Sequence, residues 1–175
     1  MKINRLALRL CMCALVLLRA LSLYADGKDS LSRKMIHMAG IDVKPAYVFP
    51  THEFFAGNNA TFSPIRKNLS VHLKYGFKFA PDTYFGRMYP HAVQGIGVGY
   101  NTFFHSSELG NPWSVYAFQT SRIASLTPRL SLDYEWNFGA SFGWKKYDAE
   151  SNPYNRVVGS KMNAYIHLSF LLNWQ

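Results

Sequence analysis

The stretch "LSLDYEWNFGASFGWKK", Leu130 to Lys146, alternates almost without a slip. Its even positions carry Leu130, Leu132, Tyr134, Trp136, Phe138, Ala140, Phe142 and Trp144. Its odd positions carry Ser131, Asp133, Glu135, Asn137, Gly139, Ser141, Gly143 and Lys145. A β-strand sends successive side chains to opposite faces, so the pattern predicts a strand with one aromatic face and one polar face. Strands of soluble sheets run about 5–6 residues, and this one is roughly three times that length.

The same period recurs on both sides of it. "SVHLKYGFKF" (70–79) sets Val71, Leu73, Tyr75, Phe77 and Phe79 against His72, Lys74, Gly76 and Lys78. "HAVQGIGVGYNTFF" (91–104) sets Ile96, Val98, Tyr100 and Phe104 against Gly95, Gly97, Gly99 and Asn101. "SVYAFQTSRI" (114–123) follows, and the last run is "VVGSKMNAYIHLSFLLNWQ" (157–175). There Met162, Ala164, Ile166, Leu168, Phe170, Leu172 and Trp174 oppose Lys161, Asn163, Tyr165, His167, Ser169 and Asn173. "AYVFPTHEFF" (46–55) is the expected first strand, bent at Pro50, which has no N–H to give a sheet. Segments rich in Pro, Asp, Asn and Gly separate these runs, including the turn or loop at 80–90. No convincing amphipathic helix is expected.

The first residues follow another rule. Lys2, Arg5 and Arg9 precede the apolar run Cys11 to Leu18, and Leu23-Tyr24-Ala25 offers a small-residue cleavage site. That layout predicts a secretory signal peptide over 1–25, followed by a polar periplasmic lead-in over 26–45 and a barrel portion over 46–175. Both cysteines, Cys11 and Cys13, fall in the leader, so no disulfide is expected in the exported chain. Removing Lys2, Arg5, Arg9 and Arg19, and no acid, takes the formal charge from +9 to +5. The basic residues are scattered, which suits an anionic lipid surface and excludes a nucleic-acid stripe.

The chain is 16% aromatic and 49% hydrophobic, yet its mean hydropathy is only −0.10. Many aromatics without a long apolar block are what a transmembrane β-barrel produces, because only every second residue meets lipid. The fold expected is therefore all-β, an antiparallel up-and-down transmembrane β-barrel with six strands in this chain. Asp133 and Glu135 are placed in its interior, opposite lysines such as Lys74 or Lys78. A soluble sandwich or lipocalin-like barrel is the alternative. Closed bacterial barrels have an even number of strands, at least about 8, so six leave open edges and imply that the chain is the front portion of a longer barrel.

Several short motifs promise chemistry and fail on context. "GASFG" (139–143) matches a hydrolase nucleophile elbow, but that elbow needs a strand, a sharp turn and a helix, and Ser141 sits in unbroken alternation. "GIGVG" (95–99) lacks the helix of a phosphate-binding loop, so glycines facing a crowded interior are expected instead. "THEFF" begins like a zinc-binding H-E-x-x-H, but Ala56 stands where the second histidine belongs. The six histidines show no ligand spacing, so neither a metal nor another cofactor is expected.

From about residue 40 the chain resembles outer-membrane acyloxyacyl hydrolases, relatives of the lipid A 3-O-deacylase (PagL-like) family. The likeness lies in "GIDVKPAYVFPTHEFF", "YPHAVQGIGVGYNTFF", "ELGNP", "LSLDYEWNFGASFGWKKYD", "NPYN" and "VVGSKMNAYIHLSFLLNW". The resemblance implies an eight-stranded outer-membrane barrel that removes an ester-linked acyl chain from lipid A. Its partners would be lipopolysaccharide and outer-membrane lipids, and it would use no cofactor. It also implies a histidine base and a serine nucleophile two residues apart on a lipid-facing strand, oriented by an acid. That strand is expected beyond residue 175. Within the chain the candidates are His167 and Ser169, but they share the interior face of Asn163 and Asn173, away from an acyl ester in a bilayer. The non-enzymatic alternative is a small structural or lipid-binding barrel.

Overall fold

The computed structural model describes residues 34–174. The leader assigned to 1–25, with both cysteines, and the first part of the lead-in lie outside them. The described residues divide into two compact units, 34–36 with 79–90, and 37–78 with 91–174. In the smaller unit, Ala80 N donates to Lys34 O at 2.8 Å and the Phe79 and Phe85 rings lie 5.3 Å apart. The 80–90 segment, read from sequence as a turn or loop, contains a short helix (Tyr84–Met88). Thr83 explains it: its hydroxyl accepts the Gly86 N–H at 3.0 Å and so caps the first turn.

The strands are β1 (Met35–Tyr47), β2 (Lys67–Phe79), β3 (Val93–Thr102), β4 (Gly110–Thr127), β5 (Leu130–Trp144) and β6 (Met162–Trp174). They form one antiparallel up-and-down sheet in the order β1-β2-β3-β4-β5-β6. The fold is thus all-β, as its alternation predicts. The first strand is the exception: it occupies Met35–Tyr47 rather than 46–55, so part of the expected lead-in is sheet and the barrel portion begins before residue 46. Here the pattern is carried by small and mixed residues, Ala39, Ile41 and Val43 against Gly40, Asp42 and Lys44, which mutes it. Past Tyr47 the chain leaves the sheet, and Glu53–Ala56 makes a single helical turn. His52 caps that turn, its Nδ1 accepting the Phe54 N–H at 3.1 Å.

Pairing registers place the apolar residues in cross-strand rows. Val71, Tyr100, Trp113, Phe142 and Met162 make one row, and Tyr75, Ile96, Ala117, Phe138 and Ile166 another. This face is exposed, with Ile166 at 74% and Trp174 at 73%. The opposite face is buried and polar. It holds Ser70, His72, Ser114, Ser131, Glu135, Asn137 and Ser141, with Tyr116 and Phe118 as its large buried rings. The sheet curls around this face, for Lys44 on β1 and Lys74 on β2 both reach Glu135 on β5, at 3.7 and 2.7 Å. The glycines of β3 permit that crowding. A Cβ on Gly97 would lie 2.5 Å from the Tyr116 ring, and one on Gly99 would lie 2.6 Å from the His72 imidazole.

Connections at the two ends differ. β4 turns into β5 through Pro128-Arg129 alone, with the Thr127 hydroxyl accepting the N–H groups of Arg129 and Leu130. At the other end, loops 48–66, 103–109 and 145–161 pack into a cap. Phe54, Ile65, Leu109 and Val158 are buried together, flanked by Phe55, Phe103 and Trp144. Three buried asparagines tie it. Asn59 Nδ2 donates to Phe54 O and Ser63 O, at 3.0 and 2.7 Å. Asn152 and Asn155 both donate to Glu108 O, at 2.9 and 2.7 Å.

Candidate functional site: the polar concave face

On the concave face the two-residue period brings charges from three strands to one place. Lys74 Nζ donates to both carboxylate oxygens of Glu135, each at 2.7 Å, and pairs with Asp42 Oδ2 at 2.7 Å. Lys44 lies 3.6 Å from Asp42 and 3.7 Å from Glu135. The Thr120 hydroxyl adds a hydrogen bond to Glu135 at 3.0 Å, and Lys74 sits 5.3 Å from the centre of the Phe118 ring. Two lysines therefore balance two carboxylates, which lets Lys74 and Glu135 be buried while Lys44 and Asp42 stay partly in water. A cavity of about 550 Å³ opens beside them, bounded by Met38, His91, Leu171 and Asn173 among others.

The expected Lys74–Glu135 partnership is therefore present. Asp133 goes elsewhere: its carboxylate accepts from Asn173 Nδ2 at 2.6 Å and lies 3.5 Å from Arg122 Nε. Above the ion pairs, His72 bridges Tyr116 and Ser70. Its Nδ1 is 2.8 Å from the Tyr116 hydroxyl and its Nε2 3.1 Å from Ser70 Oγ. The Tyr116 ring lies 5.1 Å from that of Tyr165, which stacks in turn on His167.

His167 and Ser169 both project from β6 on this concave side. His167 Nδ1 contacts the Asn137 amide at 3.3 Å, and Ser169 Oγ has no hydrogen-bond partner among the described residues. No hydrogen bond joins the two. Ser141 is equally committed to the sheet, as its Oγ accepts the Trp144 indole N–H at 2.8 Å and donates to Asn163 O at 3.3 Å. The "GASFG" segment lies inside β5, with no elbow and no helix after it. Among the described residues no group of three or more His, Cys, Asp and Glu side chains could hold a metal ion.

Two serine–histidine contacts escaped the sequence reading. Ser70 and His72 are the first, in the order Ser-x-His, which a search for His-x-Ser overlooks although either order shares a strand face. Both are buried, His72 against Gly99, so the Ser70 hydroxyl is closed to a substrate. The second is Ser63 Oγ with His105 Nε2 at 3.4 Å, between two cap loops, which only tertiary folding brings together. Chemically, the charges at the centre of the concave face balance one another, while the Ser114, Ser131 and Ser169 hydroxyls are buried there without hydrogen-bond partners among the described residues.

The chain matches no protein-family model, no curated protein and no solved structure.

Proposed function

We propose that this chain belongs to an outer-membrane β-barrel protein that removes an ester-linked acyl chain from lipid A. The membrane part of the reading rests on one observation: the sheet is inverted, with polar and charged side chains buried and large apolar ones exposed. Soluble monomers rarely expose a contiguous apolar patch above a few hundred Å². Here the apolar rows cross β2 to β6 without a break. β6 has 13 residues. At about 3.3 Å per residue and a tilt of about 40°, such a strand rises about 30 Å, the thickness of a bilayer's hydrocarbon core. The two-residue turn between β4 and β5 also fits the short periplasmic turns of outer-membrane barrels. Pro128-Arg129 would then lie inside the envelope and the three-loop cap outside.

The esterase part rests on the segment resemblance to lipid A deacylases. No outward-facing position of the described strands holds a histidine with a serine two residues on. The esterase reading therefore needs that pair from outside the described strands. A serine nucleophile needs its histidine within hydrogen-bond reach, and a lipid-facing pair meets the acyl ester directly. The same missing pair favours the second reading, a barrel that binds lipid or supports the membrane without catalysis.

Membrane fractions from cells producing this chain, and from cells producing a longer reading frame, decide the matter. Both products should require detergent for extraction, and mass spectrometry should find lipid A lacking one acyl chain only with the longer frame. A mature protein recovered as a compact monomer without detergent would refute the membrane reading. Unchanged lipid A with a membrane-integrated longer product would leave the non-enzymatic barrel.

A further inference from the structure

We infer that the loop cap carries a binding site for an acidic oligosaccharide. A cavity of about 510 Å³ lies in the cap between the loops that follow β1 and β5, within the range of about 300–1,000 Å³ typical of ligand clefts. Its walls include His52, Glu53, Asn58, Pro153, Tyr154 and Arg156. Among the described residues the Glu53 carboxylate, the Asn58 amide, the Tyr154 hydroxyl and the Arg156 guanidinium have no side-chain hydrogen bond or ion pair. Glu53 and Arg156 thus face one cavity without neutralising each other. A carboxylate and an amide beside one another suit the vicinal hydroxyls of a sugar, which both donate and accept. A free guanidinium is a planar fork for a carboxylate or phosphate group. Together they select a sugar with an acid group.

Aromatic presentation supports the same ligand class. Phe62 is held at φ 49°, a left-handed backbone that bulky residues rarely adopt, and its ring is 77% exposed. It stands edge-on to the Tyr154 ring at 6.4 Å. A left-handed backbone that displays a ring to solvent stores strain of the kind that gathers where a ligand is held. Flat apolar rings beside polar groups match the two-sided surface of a pyranose.

The loops are also fixed in advance. Asn59 Oδ1 accepts from Thr61 N, Thr61 Oγ1 and Ser63 N while its Nδ2 donates to Phe54 O and Ser63 O, so one buried side chain closes the 54–63 loop. Asn155 does the same for the second wall, donating to Glu108 O and Lys145 O and accepting the Val158 N–H. A cavity built on such loops binds without first ordering them. The outward placement of this cavity rests on the barrel reading; the sugar chemistry stands without it.

The chemistry fits two sources, the acidic core sugars of lipopolysaccharide or an acidic polysaccharide from outside the cell. The full chain folded in detergent micelles would be titrated with core oligosaccharide freed of lipid A by mild acid, with trigalacturonate, and with neutral maltotriose. Calorimetry and saturation-transfer NMR give the readouts. Saturable binding of either acidic probe is expected, with maltotriose at least tenfold weaker, and the better acidic probe identifies the source. Tyr154→Ala and Arg156→Gln should each weaken binding at least tenfold, while Arg129→Gln at the opposite end leaves it unchanged. Heat-modifiable gel mobility checks that each variant is folded. No saturable binding of either acidic probe overturns the inference, as does binding that survives both cap substitutions or equal affinity for maltotriose. Because the assay needs no membrane, its failure would leave the membrane reading intact, and failure of membrane integration would leave this result standing.

Discussion

The cap and the sheet obey opposite rules within one chain. In the cap, Phe54, Ile65, Leu109 and Val158 turn inward, with Asn59, Asn152 and Asn155 buried among the loops. In the sheet, Glu135 and Asn137 turn inward while Phe138 and Ile166 turn outward. A hydrophobic side chain is stabilised wherever water is excluded. The cap excludes water from its own apolar side chains, whereas the convex face of the sheet displays them, and under the barrel reading proposed above that face meets hydrocarbon. Polar burial follows the same logic. Cap asparagines satisfy backbone groups of loops, whereas the sheet interior pairs whole charges with one another.

The largest effect that would sharpen this contrast comes from breaking the charge cluster. Lys74 and Glu135 have side chains only 10% and 4% exposed. Glu135→Ala leaves Lys74 and Lys44 facing each other with Asp42 as their remaining acid. Removing one partner of a buried pair costs about 3–5 kcal/mol, so urea unfolding from lipid vesicles should shift by that amount. The double substitution Lys74→Met with Glu135→Leu should recover most of the loss, since no charge is then stranded. A cost of Glu135→Ala below about 1 kcal/mol would mean that the interior is as wet as the cap surface.

A charge placed on the other face tests the comparison most directly. Ile166 lies in the middle of β6 and is 74% exposed. If water bathes this face, Ile166→Arg changes stability by no more than about 0.5 kcal/mol, the usual range for surface substitutions. If acyl chains bathe it, the cost is about 2–4 kcal/mol near the bilayer midplane. Vesicle-folded protein should show the larger loss. A neutral result would break the contrast between sheet and cap.

How much of this was legible in the sequence follows from range. Alternation is a local signal, so β2 to β6 and the faces of Tyr134, Glu135 and Ile166 were readable, as was the interior lysine facing Glu135. β1 was not, because Gly40, Asp42 and Lys44 acquire their meaning only from Lys74 and Glu135 across the curled sheet. The cap was illegible for the same reason. Nothing near Asn59 or Asn155 in the chain tells that one will wrap its own loop and the other will hold Glu108 O. The tertiary contact of Ser63 with His105 likewise has no local signature.

Asn155→Ala isolates the cap from the sheet at moderate cost. It removes two donated bonds and the acceptor for Val158 N, leaving buried Glu108 O and Lys145 O with fewer partners. The loss should be about 1–3 kcal/mol. Because the cap is a local apolar cluster, the loss should appear as faster amide exchange at Leu109 and Val158 and not in β5. Equal acceleration throughout β5 would show that cap and sheet unfold as one unit.

The smallest effect lies at the cap's rim, at Asp148. Its Oδ1 accepts the N–H groups of Ser151 and Glu150, at 2.9 and 3.1 Å, and the Ser151 hydroxyl at 2.9 Å. These bonds, the Ser151 backbone first, hold the carboxyl below its ordinary range. A depressed carboxylate stabilises the fold fully above its unfolded value of about 3.9 and loses that contribution as pH falls through the lower folded value. The Ser151 and Glu150 amide resonances should therefore titrate together below pH of about 3.9, and Asp148→Asn should abolish that titration. Since Asp148 is exposed, salt and solvent keep its energetic share small, and the sheet's amides should not respond with it. A shared midpoint in β5 and β6 would tie the rim to the interior charges and erase the boundary between the two regions.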